Sequence, residues 1–173
     1  VNQDAKSRDW MHSIRSFFIS PGKRHYGVAA LLGSLNPLAF APYYVWPYIF
    51  VSIALLLLLL DAQRTTKSAF RLGWCYGFGW FATGISWVHI AIADFGGLPL
   101  PLSLVLMTLL DGYLALFPAL ACYLAVKYRA QLSLLGFLPA FMLSEWVRSV
   151  FLTGFPWLSL GYSLTSTPFA SFA

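Results

Sequence analysis

The apolar positions of this chain gather into long runs rather than alternating with polar ones. Five runs stand out: about Tyr26 to Phe40, Val45 to Leu60, Ala69 to Ile92, Leu100 to Val126 and Leu132 to Val150. Runs this long, with few charges inside them, predict helices that cross a lipid bilayer. The first two are short against the roughly 20 residues needed to cross about 30 Å of hydrocarbon. A single helix over both would be roughly 50 Å long at 1.5 Å per residue, so two spans completed by flanking residues are the better reading. Between them lies Ala41-Pro42-Tyr43-Tyr44-Val45-Trp46-Pro47, where two prolines restrict the helix and the aromatics suit the headgroup level. Gly- and Pro-containing segments also close later runs: Asp94-Phe95-Gly96-Gly97-Leu98-Pro99 after the third, and Thr153-Gly154-Phe155-Pro156-Trp157-Leu158 after the fifth. Gly77 and Gly84, seven residues apart in the third run, share a helix face that a neighbour can approach closely.

Residues 1–24 differ in character, being polar and basic. Trp10, Met11, Ile14, Phe17 and Phe18 fall on one helical face there, which predicts either a basic amphipathic helix on the inner membrane surface or a plain tail. The division is therefore a cytoplasmic or interfacial segment, 1–24, and a transmembrane helical domain, 25–173.

Composition turns this pattern into a class. Apolar residues are 59% of the 173 and charged residues only 10%, where a soluble domain carries roughly 25% charged residues to wet its surface. The reading is an all-α polytopic membrane protein with about five transmembrane helices, and soluble globular folds are excluded. The net charge of +5 would suit nucleic acid only if the cations shared one face. They fall instead in three loops: Lys6, Arg8, Arg15, Lys23 and Arg24; Arg64, Lys67 and Arg71; Lys127 and Arg129. Basic clusters in alternate loops mark the cytoplasmic side, which puts the N-terminus inside and leaves only Arg148 outside. Phe40–Pro47, Asp94–Pro99 and Arg148–Trp157 then share the outer face, and no nucleic-acid partner is expected.

Few residues offer chemistry. Asp111 sits mid-span, where a carboxyl group should be neutral, paired or facing a polar cavity, so it is either a relay or ligand site or a neutral acid bonded to a neighbouring helix. Glu145 and Arg148, at i and i+3, share a face and can pair. Arg148 near the span's outer end can also snorkel to the interface, and the pair serves either structure or an anionic lipid headgroup. Trp46, Trp87 and Trp157 taken singly are interfacial anchors, but three aromatic, Gly/Pro-rich loops on one face together suit a lipid-entry groove beneath an outer domain. Cys75 and Cys122 lie in apolar runs without metal or disulfide spacing, and His12, His25 and His89 lack partners at motif spacing. No phosphate loop, HExxH or GxSxG is present, so no metal, cofactor or catalytic residue is expected in these residues. Starting at Val1 and stopping at Ala173 in an apolar stretch, the chain reads as part of a longer protein.

A family resemblance adds what residue chemistry alone does not reach. Phe40-Ala41-Pro42-Tyr43-Tyr44-Val45-Trp46-Pro47, Gly77-Phe78-Gly79, Ser86-Trp87-Val88, Phe95-Gly96-Gly97, Glu145-Trp146-Val147-Arg148 and Leu152-Thr153-Gly154-Phe155-Pro156-Trp157 occur in that order. Over about residues 25 to 165 the chain resembles the N-terminal membrane part of bacterial apolipoprotein N-acyltransferases. The resemblance implies an inner-membrane enzyme, working at the periplasmic face, that moves an acyl chain from a phospholipid to the α-amino group of a diacylglyceryl-cysteine on an apolipoprotein. It also implies eight membrane helices and a nitrilase-like periplasmic domain whose Glu-Lys-Cys triad forms a thioester acyl-enzyme. That domain would lie beyond Ala173, so neither Cys75 nor Cys122 takes the triad's part and this fragment should be inactive alone. Carried over are Gly154, Phe155, Pro156 and Trp157 near the lipid site, with Glu145, Arg148 and Trp87 as further matches. Asp111 matches no family feature. It keeps open an alternative, a transporter or channel fragment, beside a third option of a non-catalytic membrane scaffold.

Overall fold

The computed structural model describes residues 22–128, 136–168 and 170, and every regular element among them is helical. Among the described residues seven α-helices follow one another: α1 Lys23–Ser34, α2 Pro47–Asp61, α3 Thr66–Gly84, α4 Val88–Gly96, α5 Leu100–Leu114, α6 Leu116–Lys127 and α7 Phe137–Val150. Short 3-10 turns follow α1 at Asn36–Ala39 and α7 at Phe151–Thr153, and a third covers Leu160–Leu164. The amphipathic helix expected within 1–24 lies, but for its last residues, outside the described residues, as does the start of the fifth predicted span.

Local chemistry sets the helix starts. Pro47 at the first turn of α2 and Pro101 in that of α5 occupy positions where the missing N–H costs nothing. Thr65 caps α3 by accepting the Ser68 N–H at 3.2 Å. Helices α5 and α6 together form one stretch, Leu100–Lys127, of 28 residues, which is long and apolar enough to cross a membrane. The seam at Ala115 has a cause in Pro118, whose ring nitrogen cannot donate to the Leu114 carbonyl one turn back. Pro47–Asp61 is apolar but shorter.

Helix α3 is the hub. Its neighbours α1 and α6 pack on it so closely that side chains are absent where they cross. A Cβ on Gly33 would lie 1.9 Å from the Tyr76 carbonyl oxygen, and one on Gly79 2.1 Å from that of Ala30. On the α6 side a Cβ on Gly77 would meet Pro118 Cγ at 2.4 Å. Gly84, on the same face of α3, meets not α6 but Leu158, at 2.3 Å. The shared face expected from the seven-residue spacing is there, with two different neighbours.

The apolar run 69–92, read as one span, is two helices. α3 stops at Gly84, Ile85 leaves helical geometry (φ −115°, ψ 19°), and α4 begins at Val88. The Thr83 hydroxyl contributes to the stop by bonding the Ser34 carbonyl at 2.9 Å, tying the end of α3 to the end of α1. Ile85 then turns inward with Phe81 and Leu114 to make a small core on which Phe155 and Leu158 rest.

Candidate functional site

The segment after α7 is built around one guanidinium. Arg148 is 1% exposed. Its Nη1 donates to the carbonyls of Phe155 at 2.5 Å and Trp157 at 2.8 Å. Its Nη2 donates to Glu145 Oε1 at 2.9 Å and Ser159 Oγ at 3.1 Å. The second carboxylate oxygen of Glu145 accepts the Leu160 N–H at 3.1 Å. The two residues pair, as their spacing predicts, and together they hold the backbone from Phe155 to Leu160. Arg148 does not snorkel: its charge is closed inside, against Glu145 and 5.3 Å over the Phe81 ring.

The planar fork is what makes this work, because it presents several donors in fixed directions and stays charged. Backbone strain is held in the same place. Leu152 (φ 49°), Gly154 (φ 77°) and Leu158 (φ 59°) all lie at positive φ, and for leucine this costs about 1–3 kcal/mol and persists only where the surroundings impose it. Here they do. The Phe155 N–H returns to the Arg148 carbonyl at 3.0 Å, and Leu158 seats on Gly84.

The result is a fixed segment with two faces. Phe155 and Leu158 point into the molecule, while Pro156 and Trp157 are exposed. Trp157 and Trp87 are each 48% exposed, with ring centroids 5.0 Å apart, and Phe155 lies 5.5 Å from Trp157. All seven residues singled out from the sequence, Trp87, Glu145, Arg148, Gly154, Phe155, Pro156 and Trp157, thus meet in one structure. Ser159, Phe81, Gly84 and Leu158 complete it and were not among the site residues expected from the sequence. Only Gly84 carried a signal, as a small residue on a helix face. Beside the segment an apolar groove of about 380 Å³ opens between Ile49 and Phe50 of α2 and Leu138 and Met142 of α7, with Glu145 and Ser159 at its polar edge.

Asp111 stands apart. It is buried on α5 with its Oδ1 lacking a hydrogen-bond partner among the described residues, while Trp74 donates to the adjoining Gly112 carbonyl at 3.2 Å. It takes no part in the hydrogen bonds around Arg148. No cluster of His, Cys, Asp and Glu among the described residues could hold a metal ion. Cys122 is buried and Cys75 partly so, both as free thiols.

Comparison with known proteins bears on the whole arrangement. Residues 32–173 match the family model described as Apolipoprotein N-acyltransferase N-terminal domain. The chain is 46% identical over 149 residues to the Apolipoprotein N-acyltransferase of Vibrio vulnificus, covering 84% of this chain and 29% of that protein. To the protein of that name from Photobacterium profundum it is 46% identical over 165 residues, covering 92% and 31%. To that of Coxiella burnetii it is 38% identical over 150 residues, covering 84% and 31%. The chain spans about 30% of the length of the curated relatives it matches.

Proposed function

The chain belongs to the apolipoprotein N-acyltransferase family through that family's N-terminal domain, and from this premise we propose that it is the membrane part of a phospholipid:apolipoprotein N-acyltransferase. In this reading a phospholipid gives up an acyl chain, and the α-amino group of a diacylglyceryl-cysteine on a bacterial lipoprotein precursor accepts it. A cysteine in a periplasmic domain outside these residues carries the acyl group between them as a thioester. A thiolate serves because it divides one hard transfer into two easier ones. Residues 25–173 supply about five spans of the inner membrane, with residues 1–24 on the cytoplasmic side and the segment after α7 on the periplasmic side.

Within this reading the segment Gly154–Trp157 and Trp87 form the lipid-facing floor beneath the catalytic domain. The observation that carries it is the Arg148 fork on the carbonyls of Phe155 and Trp157. Trp157 is thereby fixed beside the exposed Trp87, on the face that this reading sets opposite the basic loops, where amphipathic rings suit a headgroup boundary. Glu145 and Arg148 position that floor and touch no substrate. The transporter or channel alternative gains nothing from the family and is not kept. The test is made in the intact protein: Trp157→Ala and Arg148→Ala should both slow acyl-enzyme formation from phospholipid, and wild-type rates in both would sink these roles.

A further inference from the structure

At the opposite end of the bundle a second groove, of about 470 Å³, lies between α1, α3 and α6. Its walls are Tyr26 of α1 and Phe70 and Trp74 of α3, and Cys75 and Leu116 line it too. Two exposed cations, Lys23 and Arg71, line it as well. Among the described residues neither has a carboxylate partner. Trp74 is held in place by its bond to the Gly112 carbonyl, so the aromatic wall is preformed.

An apolar, aromatic-walled slot with two unpaired cations matches one ligand chemistry. We propose that it binds an anionic phospholipid, its phosphate between Lys23 and Arg71 and the upper part of one acyl chain along Tyr26, Phe70 and Trp74. Charge complementarity selects this occupant, because basic pockets between membrane helices on the cytoplasmic side take anionic headgroups. Depth agrees. Residues Phe70 to Cys75 rise roughly 8 Å at 1.5 Å per residue, about half the hydrocarbon of one leaflet. The slot therefore holds the start of a chain, and the rest lies in the bilayer. Nothing in the acyl-transfer reading uses this groove, which lies at the far end of α3 from Trp87 and Trp157.

Two cations near the surface should favour an anionic over a zwitterionic lipid about 30-fold. The intact protein is titrated with equal phosphatidylglycerol and phosphatidylethanolamine, and bound lipids are counted by native mass spectrometry. Wild type should hold one phosphatidylglycerol in strong preference, and Lys23→Gln/Arg71→Gln should lose it. Cys75 locates the site. In nanodiscs of one phosphatidylglycerol-containing composition, N-ethylmaleimide should modify Cys75 several-fold faster in the double variant than in wild type, as read from the Cys75 peptide. No anionic preference in wild type overturns the proposal, even where the double variant fails to fold. So does equal labelling of Cys75 in both proteins, whether fast, meaning an empty slot, or blocked, meaning a protein segment covers it. Placement in the inner leaflet rests on the topology proposed above. Binding in a nanodisc, which offers both leaflets alike, does not, and an acyl-transfer assay on the same variants separates this failure from failure of the enzyme reading.

Discussion

At the scale of the residue, Arg148 and Gly154 are the positions where substitution is most informative. Removing one partner of a buried ion pair leaves the other uncompensated, at about 3–5 kcal/mol. Arg148→Ala strands Glu145 and also frees two carbonyls and Ser159, so a cost at the upper end is expected, seen as a lower thermal midpoint in detergent. Arg148→Lys should restore little of the acyl-enzyme rate. An ammonium can replace the Glu145 pair, but it lacks the planar fork that meets both the Phe155 and Trp157 carbonyls. Full rescue by lysine would mean that charge, not geometry, is what the segment needs. Gly154 tests geometry from the other side. Its φ of 77° and ψ of 144° are close to glycine-only territory, and a Cβ would lie 2.1 Å from the Ser149 carbonyl oxygen. Gly154→Ala should therefore displace Phe155–Trp157 while leaving the helices intact. A misplacement of about 1 Å in positioned groups can cost on the order of a hundredfold in rate, so acyl-enzyme formation should fall far more than thermal stability does. A rate within twofold of wild type would show that this backbone conformation is dispensable.

At the scale of the element, the glycines divide sharply by what their missing side chains make room for. Gly33 and Gly79 let α1 and α3 touch backbone to backbone, whereas a Cβ on Gly27 would meet nothing within 4 Å. In the proposed membrane setting no hydrophobic force acts between helices, and such contact is what would bind them, through dispersion and close approach. Gly79→Ala should destabilise by about 1–3 kcal/mol, as overpacking does, whereas Gly27→Ala, in open space inside α1, should stabilise by about 0.5–1 kcal/mol, both read from thermal midpoints of the purified protein. Equal midpoints for the two would deny that the α1–α3 contact is tight. This scale also shows where reading from sequence stops. Spacing placed Gly77 and Gly84 on one face, but a repeat of seven carries no information about which neighbour arrives there, and the neighbours are Pro118 and Leu158. The apolar run from Ala69 to Ile92 hid the turn at Ile85 for a related reason. Apolarity reports burial or lipid contact, and Ile85 is apolar because it packs beneath Phe155 and Leu158 rather than because a helix continues through it. The i, i+3 pair of Glu145 and Arg148 was legible because a helix fixes it locally. Ser159 was not, since it joins the pair only after the chain has turned back on itself.

At the scale of the whole molecule, the two ends differ in chemistry, and the difference predicts how the protein lies in a membrane. At one end the start of α1 meets the end of α2, with Gln63 Nε2 3.2 Å from His25 Nδ1, and Lys23 and Arg71 line a common groove. At the other end the hydroxyl of Thr83 bonds the Ser34 carbonyl, and the Trp87 ring lies tilted against that of Trp157. Free cations gather at the first end and exposed aromatics at the second. Arg148 looked like the exception to a charge rule when read from sequence. Buried against Glu145, it offers no free charge to the membrane field or to the insertion machinery, so the bias toward the first end is stronger than the count of basic residues implied. In the membrane topology proposed above, the first end is therefore predicted to be cytoplasmic. A phosphatase that is active only after export, fused after Gln63 or Tyr128, should stay silent, and fused after Tyr44 or Leu98 it should be active. A fluorescent protein that matures only in the cytoplasm should give the reverse pattern. Export of the Gln63 fusion with retention of the Leu98 fusion would invert the molecule and put Trp87 and Trp157 on the wrong side for the periplasmic acyl transfer proposed above. Export of both would break the alternation instead, and would mean that α3 and α4 do not carry the chain across between those points.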